Sequence, residues 1–233
     1  HVYFSNLKKF DGKKLRRLNL SEIGQIAGRA GRYLNDGSFG ITGECKEITA
    51  EDVDLLESHK FEEIRTLFWR NSNLNFNNSS SLIKSLDEKP HMEWLRKIHE
   101  CEDEKALKYF LKDTNFNNLK FDEKTLSLLW ECCQIPDFVK KTYGNHYEVI
   151  GSVFKFLSSD KRVISNDYMR LQLLKLDKLD GNVDSLSNRI ANVRTWSYVS
   201  NKNNWVENQD YWIEKTKHLE DRLSDRLHEE LTK

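Results

Sequence analysis

Proline is nearly missing from this chain: there are 2 in 233 residues. Cysteine is scarce as well, at 4, and Cys45, Cys101, Cys132 and Cys133 have no C-x-x-C spacing. The adjacent pair cannot readily bridge or ligate a metal tetrahedrally from one helix, so all four are expected as reduced thiols in a cytosolic compartment. The 7 histidines are scattered without an H-E-x-x-H or other ligand cluster, and no metal site is expected. No run approaches the roughly 18 consecutive apolar residues of a spanning helix, which excludes one. The start, His1 to Ser5, lacks the basic, apolar and small-residue order of a signal peptide. Neither sign of charge is in excess, with 37 basic and 37 acidic side chains.

What is present is a supply of anchors: 38% hydrophobic residues and 11% aromatics, including 6 Trp, enough for a packed core. Glycine is unevenly placed. Of 10, Gly12, Gly24, Gly28, Gly31, Gly37, Gly40 and Gly43 fall in the first 45 positions, so a turn-rich α/β segment is expected first and a helical one after it. Periodicity and cap residues predict a strand at 1–5, a turn at Asp11-Gly12, a helix at 21–32 and a strand at 38–42. Thr49 with Asp52 predicts a helix to about 59, and helical periodicity recurs at 79–87, 91–100 and 103–112. Asn71 to Ser81 reads as a linker. Asp122 is expected to cap a helix over 123–134 and Pro136 to open one through 157. Helices at 166–179, 183–199 and 208–231 complete the reading. The apolar, β-like start without an initiator Met is expected to lie inside a domain of a longer protein.

The segment Gln25-Ile-Ala-Gly-Arg-Ala-Gly-Arg32 carries the most chemistry. On a helix, Arg29 and Arg32 would project to one side, where two guanidinium forks can meet several phosphate oxygens. Gly28 and Gly31 would clear space for a second backbone or a triphosphate, since glycine inside a helix costs about 1 kcal/mol against alanine. A close helix-packing motif with two solvated arginines is the other reading. Just upstream, Lys8, Lys9, Lys13, Lys14, Arg16 and Arg17 flank Phe10-Asp11-Gly12. A basic hairpin could grip phosphates while Phe10 stacks on bases; an ordinary solvated hairpin fits the same residues.

Gln-x-x-Gly-Arg-x-Gly-Arg resembles motif VI of superfamily 2 helicases, and the full string is similar to that of the mitochondrial-degradosome type of RNA helicase and its bacterial relatives. The resemblance extends to Cys133-Gln-Ile-Pro-Asp-Phe138, to Leu186-Ser-Asn-Arg-Ile-Ala-Asn-Val-Arg-Thr-Trp-Ser-Tyr-Val199 and to Glu220-Asp-Arg-Leu-Ser-Asp-Arg-Leu-His-Glu229. It departs from the family at Lys202-Asn-Asn-Trp205, where relatives tend to carry Arg and Asp before Trp.

The resemblance implies the C-terminal part of a RecA-like helicase domain over residues 1 to 75, followed by a mostly α-helical C-terminal domain and extension over 76 to 233. It implies ATP as the nucleotide, with Mg²⁺, held mainly by an upstream RecA-like domain. Arg32 would be an arginine finger, Arg29 its neighbour, and Gln25 and Gly28 part of the nucleotide site. Single-stranded or partly duplex RNA is the implied partner, an exoribonuclease is a candidate one, and a bacterial cytoplasm is the implied location. A hairpin before motif VI separates strands in such enzymes. The sequence contains no G-x-x-x-x-G-K-[ST] phosphate loop, and its Asp-Glu pairs at 87, 103 and 122 are each followed by Lys, so the chain alone is expected not to hydrolyse ATP. A non-catalytic helical module that binds RNA or protein, with a degenerate helicase remnant, is the alternative, and a DNA-directed motor also fits motif VI. Trp94, Trp130, Trp196, Trp205 and Trp212 are expected in the core, and Trp212, Thr216, Leu219, Leu223, Leu227 and Leu231 form one face of the last helix.

Overall fold

Helix starts in this chain follow its caps. Thr49, Asn78, Asp122, Ser165 and Asn182 each accept a hydrogen bond from the backbone N–H three residues on, and helices begin there: α2 (Ala50–Glu57), α3 (Ser79–Leu86), α5 (Glu123–Cys133), α7 (Asn166–Leu176) and α8 (Val183–Ser200). Each cap satisfies an otherwise orphaned amide, a contribution of about 1 kcal/mol. The computed structural model describes residues 1–10, 15–31, 36–43, 45–99, 101–113, 121–140 and 143–232. They fall into two compact units, His1–Leu67 and Phe68–Lys233.

In the first unit, β1 (Val2–Phe4) pairs in parallel with β4 (Phe39–Ile41) in the register Val2↔Phe39, Tyr3↔Gly40, Phe4↔Ile41. Parallel neighbours need a crossover. It consists of the antiparallel pair β2 (Lys8–Phe10) and β3 (Leu15–Arg17), then α1 (Leu20–Ala27), then a 3-10 turn at Gly28–Ala30. The core is small: Phe4, Leu7, Ile23 and Leu56 are buried, with Ile26, Phe39, Ile41 and Phe61 packed on them. Each fully buried side chain of this kind contributes roughly 2 kcal/mol.

Among the described residues, the regular structure of the second unit is helical apart from β6 (Leu95–Lys97) and its neighbour β5 (Leu67–Trp69), whose first residue is the last of the first unit. With α4 (Glu102–Lys112), α6 (Tyr143–Leu157) and α9 (Gln209–Leu231), its helices enclose one core that includes Leu107, Leu126, Phe154, Met169, Leu186, Val193 and Leu223. Helices α8 and α9 pack on each other and are tied by Arg194 Nε to Glu220, 2.7 Å apart. Helix α7 is held by an isolated bridge, Ile164 to Val206, and by Trp212 Nε1 donating to Asn166 Oδ1 at 2.8 Å. Gly181, just before the cap of α8, has φ +121°, a conformation that L side chains rarely adopt. Cys132 and Cys133 lie in the core, where burial pushes both thiols well up from their ordinary range. The four cysteines are free.

A charged cluster sits at the start of α4. The Arg70 guanidinium donates to both oxygens of Asp103, at 2.8 and 3.0 Å, lies 3.4 Å from the buried Glu104 carboxylate, and stacks 5.0 Å from the centre of the Trp130 ring. Burial raises the Glu104 pKa from its ordinary value.

Four expectations from the sequence are corrected. Of residues 91–100, expected as a helix, the described ones, 91–99, are a turn and the strand β6; Pro90 precedes them, and Leu95 N–H bonds to Met92 O at 3.0 Å before the chain extends. Trp94, expected in the core, is 51% exposed on that turn, whereas Trp130, Trp196, Trp205 and Trp212 are buried. Pro136 does not open a helix: Asp137 accepts from the N–H groups of Val139 and Lys140, both at 3.0 Å, Lys140 has φ +53°, and α6 starts at Tyr143. The stretch from Asn71 is no linker, because the buried Asn71 amide donates to Asn73 O, Ser85 O and Glu88 Oε2 at 3.1, 2.9 and 2.7 Å. Asparagines there satisfy backbone groups, which composition alone does not distinguish from a solvated tether.

Candidate functional site

Helix α1 is built by its own first turn. The N–H of Asn19 donates to Glu22 Oε2 at 2.9 Å, while Ile23 and Ile26 face the core one turn apart. It does not continue to residue 32. After Ala27 the chain tightens into the 3-10 turn and leaves helical conformation at Gly31, with φ −94° and ψ 150°. Two glycines in four residues make that exit inexpensive. The helical spacing that would align Arg29 with Arg32 is therefore not present, and Arg32 itself lies outside the described residues.

Gln25 and Arg29 stand on neighbouring turns at this end of α1. Both are exposed, and neither makes a hydrogen bond or ion pair among the described residues. A Cβ at Gly28 would meet no atom within 4 Å among them, so this glycine is not required for packing inside the unit. Gly37 is different. A Cβ there would lie 2.4 Å from Ala30 C, 2.4 Å from Gly31 N and 2.7 Å from Ala30 Cβ, so the approach to β4 presses directly on the arginine-bearing turn. Gly37→Ala is expected to cost about 1–3 kcal/mol and to displace that turn; a lowered Tm with faster hydrogen exchange confined to residues 28–31 and 37–41 is the outcome to measure.

The basic pair of strands is present, but Lys9, Arg16 and Arg17 on it are already paired. Pairing Lys8↔Arg17 and Lys9↔Arg16 sets like charges directly opposite each other, an arrangement that is unfavourable unless neutralised. Glu22 neutralises the second pair: Arg16 donates to both carboxylate oxygens at 2.8 Å, and Lys9 Nζ lies 2.5 Å from Oε1. Arg17 reaches Asp52 at 3.5 Å, and Lys8 is exposed without an ion pair among the described residues. The expectation that all these cations await a phosphate is thus corrected for Lys9, Arg16 and Arg17. Lys13, Lys14, the Asp11-Gly12 turn and the Phe10 side chain lie outside the described residues.

Glu22 was missed in the sequence, although Asn19 followed three residues later by Glu22 is a capping signature. The Arg16 guanidinium, then Lys9, then the Asn19 N–H hold the Glu22 carboxyl well below its ordinary value of 4.5. A group with a depressed folded pKa contributes stability that is present above its unfolded pKa and lost as pH falls through the folded value. The attachment of β2–β3 to α1 is therefore expected to be intact at neutral pH and to loosen only well below pH 4.5, as followed by NMR shifts of residues 16 to 22.

A cavity of about 500 Å³ in the same unit is lined by Gly37–Ile41, Glu47, Ile48, Val53 and Glu57. It brings in none of the expected site residues, and two carboxylates make it a poor host for a polyphosphate. Among the described residues no group of three His, Cys, Asp or Glu side chains could hold a metal ion, and no helix is long and apolar enough to cross a membrane.

Comparison with known proteins relates part of this chain to helicases. Over 57 residues, 24% of the chain, it is 49% identical to the DExH-box ATP-dependent RNA helicase DExH16, mitochondrial, of Arabidopsis thaliana. Over a stretch of the same length it is 47% identical to the ATP-dependent RNA helicase SUV3, mitochondrial, of Oryza sativa subsp. japonica. The matched stretch spans 10% and 9% of the length of those relatives, which are plant mitochondrial proteins rather than bacterial ones. No protein-family model matches the chain, and no solved structure does.

Proposed function

We propose that the chain is the C-terminal portion of an ATP-dependent RNA helicase: the end of its second RecA-like domain, to about residue 75, followed by a helical domain that guides RNA and braces the motor. The observation that carries this reading is the exposed Gln25/Arg29 end of α1, unpartnered among the described residues. It lies within a string resembling motif VI, in a chain partly related to RNA helicases. The parallel β1–β4 pair with α1 between its strands is compatible with a RecA-like remnant.

In this mechanism ATP, bound by an upstream domain, draws the two RecA-like domains together. Arg29 and Arg32 then meet the charge that develops on the equatorial oxygens of the transferring phosphoryl group, while Gln25 hydrogen-bonds across the cleft. Gly28 lets the triphosphate approach the backbone. Hydrolysis reopens the cleft and moves the basic surface of this half along single-stranded RNA. Mg²⁺ neutralises phosphate charge in such reactions, but no described residues here fit it, and no step of this chain is assigned to the ion. RNA-stimulated ATP hydrolysis by the full-length protein, with and without Arg29→Ala and Arg32→Ala, tests the reading. Inert wild type, or variants equal to it, would make the chain a binding module.

A further inference from the structure

Glu22 stands where the two halves of the proposed site meet, and its three contacts make it more than a cap. Its carboxylate takes both forks of Arg16 on β3, the ammonium of Lys9 on β2, and the N–H of Asn19 at the start of α1. Three residues further along the same helix comes Gln25, and seven residues on, past the end of the helix on the 3-10 turn, comes Arg29. One anion therefore joins the basic strand pair to the element that carries the candidate nucleotide residues.

The joint is accessible. The Arg16 and Glu22 side chains are 28% and 22% exposed, so an incoming phosphate can reach the guanidinium without unfolding the unit. A phosphodiester offers Arg16 the same planar, two-oxygen acceptor geometry that Glu22 offers, and a polynucleotide adds the entropy of counterion release, which an isolated carboxylate lacks.

We propose that Glu22 is a positioning residue which RNA displaces: backbone phosphate takes Arg16 and Lys9 from it, the strand pair separates from α1, and the helix bearing Gln25, with the 3-10 turn bearing Arg29 that follows it, is released to adjust toward nucleotide. This rests on the RNA-helicase reading above and supplies its RNA dependence. In the absence of RNA the clamp holds α1 in a fixed position, and Glu22 competes with RNA for the same two cations. Because coupling is reciprocal, whatever loosens the clamp must also tighten RNA binding.

The test titrates this 233-residue chain with fluorescein-labelled oligouridylate by anisotropy at several salt concentrations, with hydrogen exchange read at residues 20–24. Glu22→Gln, which keeps the shape but not the charge, should bind RNA at least about 5-fold more tightly. Its slope of log K against log salt should stay at the wild-type value, because both complexes place Arg16 and Lys9 on phosphates, whereas Lys9→Gln/Arg16→Gln should flatten the slope by about 1.4, from two contacts at roughly 0.7 each. Glu22→Asp should stay close to wild type. In a Lys9→Gln/Arg16→Gln background, Glu22→Gln should change nothing, which a purely structural cap would not predict. RNA should speed exchange at residues 20–24 in the wild type. If wild type binds RNA but Glu22→Gln binds no more tightly, or exchange ignores RNA, the displacement is wrong while the RNA reading stands. If no variant binds RNA even at low salt, both fall, and ATP hydrolysis by the full-length protein then decides the helicase reading separately.

Discussion

Arg32→Ala in the full-length protein should lower RNA-stimulated ATP turnover by about 10³-fold, because a positioned arginine at a phosphoryl-transfer site contributes on the order of 10³ to 10⁵. Arg29→Ala should lose less, since its guanidinium sits beyond the end of α1 on a 3-10 turn and is exposed, a place suited to orienting a phosphate rather than contacting the transferring group. The diagnostic is where the loss falls. An arginine engaged only in the transition state lowers kcat with KM for ATP little changed, whereas one that merely holds the ground state raises KM. Substitution by lysine should not restore Arg32, because a point charge cannot reproduce a planar two-oxygen fork. Steady-state kinetics with RNA binding measured alongside, and unchanged melting, separate these outcomes.

The largest expected loss of stability is at Arg70. Its guanidinium is the shared partner of Asp103 and Glu104 and lies over Trp130, so Arg70→Ala leaves the buried Glu104 carboxylate unpaired and removes the contact to the ring. Breaking a buried pair on one side costs about 3–5 kcal/mol, against a total domain stability of about 5–15 kcal/mol. The deficit should depend on pH in a definite sense. Burial already raises the Glu104 pKa, and loss of Arg70 removes the nearest charge that lowers it. A group whose folded pKa is raised contributes stability below its unfolded pKa and loses it as pH rises through the folded one. Urea melts should therefore show Arg70→Ala far less stable than wild type at neutral pH, with part of the difference recovered as Glu104 is protonated. A deficit independent of pH would place the loss in packing against Trp130.

Much of the helical unit was legible because its signals are local. Asp122, Asn166 after Ser165, and Asn182 mark helix starts that depend on one side chain reaching an amide three residues away, and the structure begins helices within a residue or two of each. Trp212, Thr216, Leu219 and Leu223 are buried along α9 as their spacing demands, while the stripe fades at Leu227 and Leu231, where the core ends. The segment at 91–100 failed for the complementary reason. A short run with helical spacing is decided by what it pairs with, and β5 supplied a strand neighbour from well upstream in the chain, with the Ile98 N–H donating to Trp69 O at 3.0 Å. Gln25, Gly28 and Arg29 could be singled out by residue type and spacing, but not the geometry that carries them, since ending α1 at Ala27 is decided jointly by Gly28, by Gly31 and by the pressure of Gly37 on Ala30.

Composition and pattern by themselves determined that this is an electrically balanced chain with a glycine-rich α/β head and a helical remainder, because each of these follows from residue content or from spacings of three or four. Only the tertiary structure decided that Arg16 and Lys9 are held by Glu22, that Arg17 meets Asp52 across 35 residues, and that Asn71 is a buried brace rather than a tether. A charge in a sequence has no partner until the fold brings one within about 4 Å, and whether it grips a phosphate or a neighbouring carboxylate is settled by that proximity.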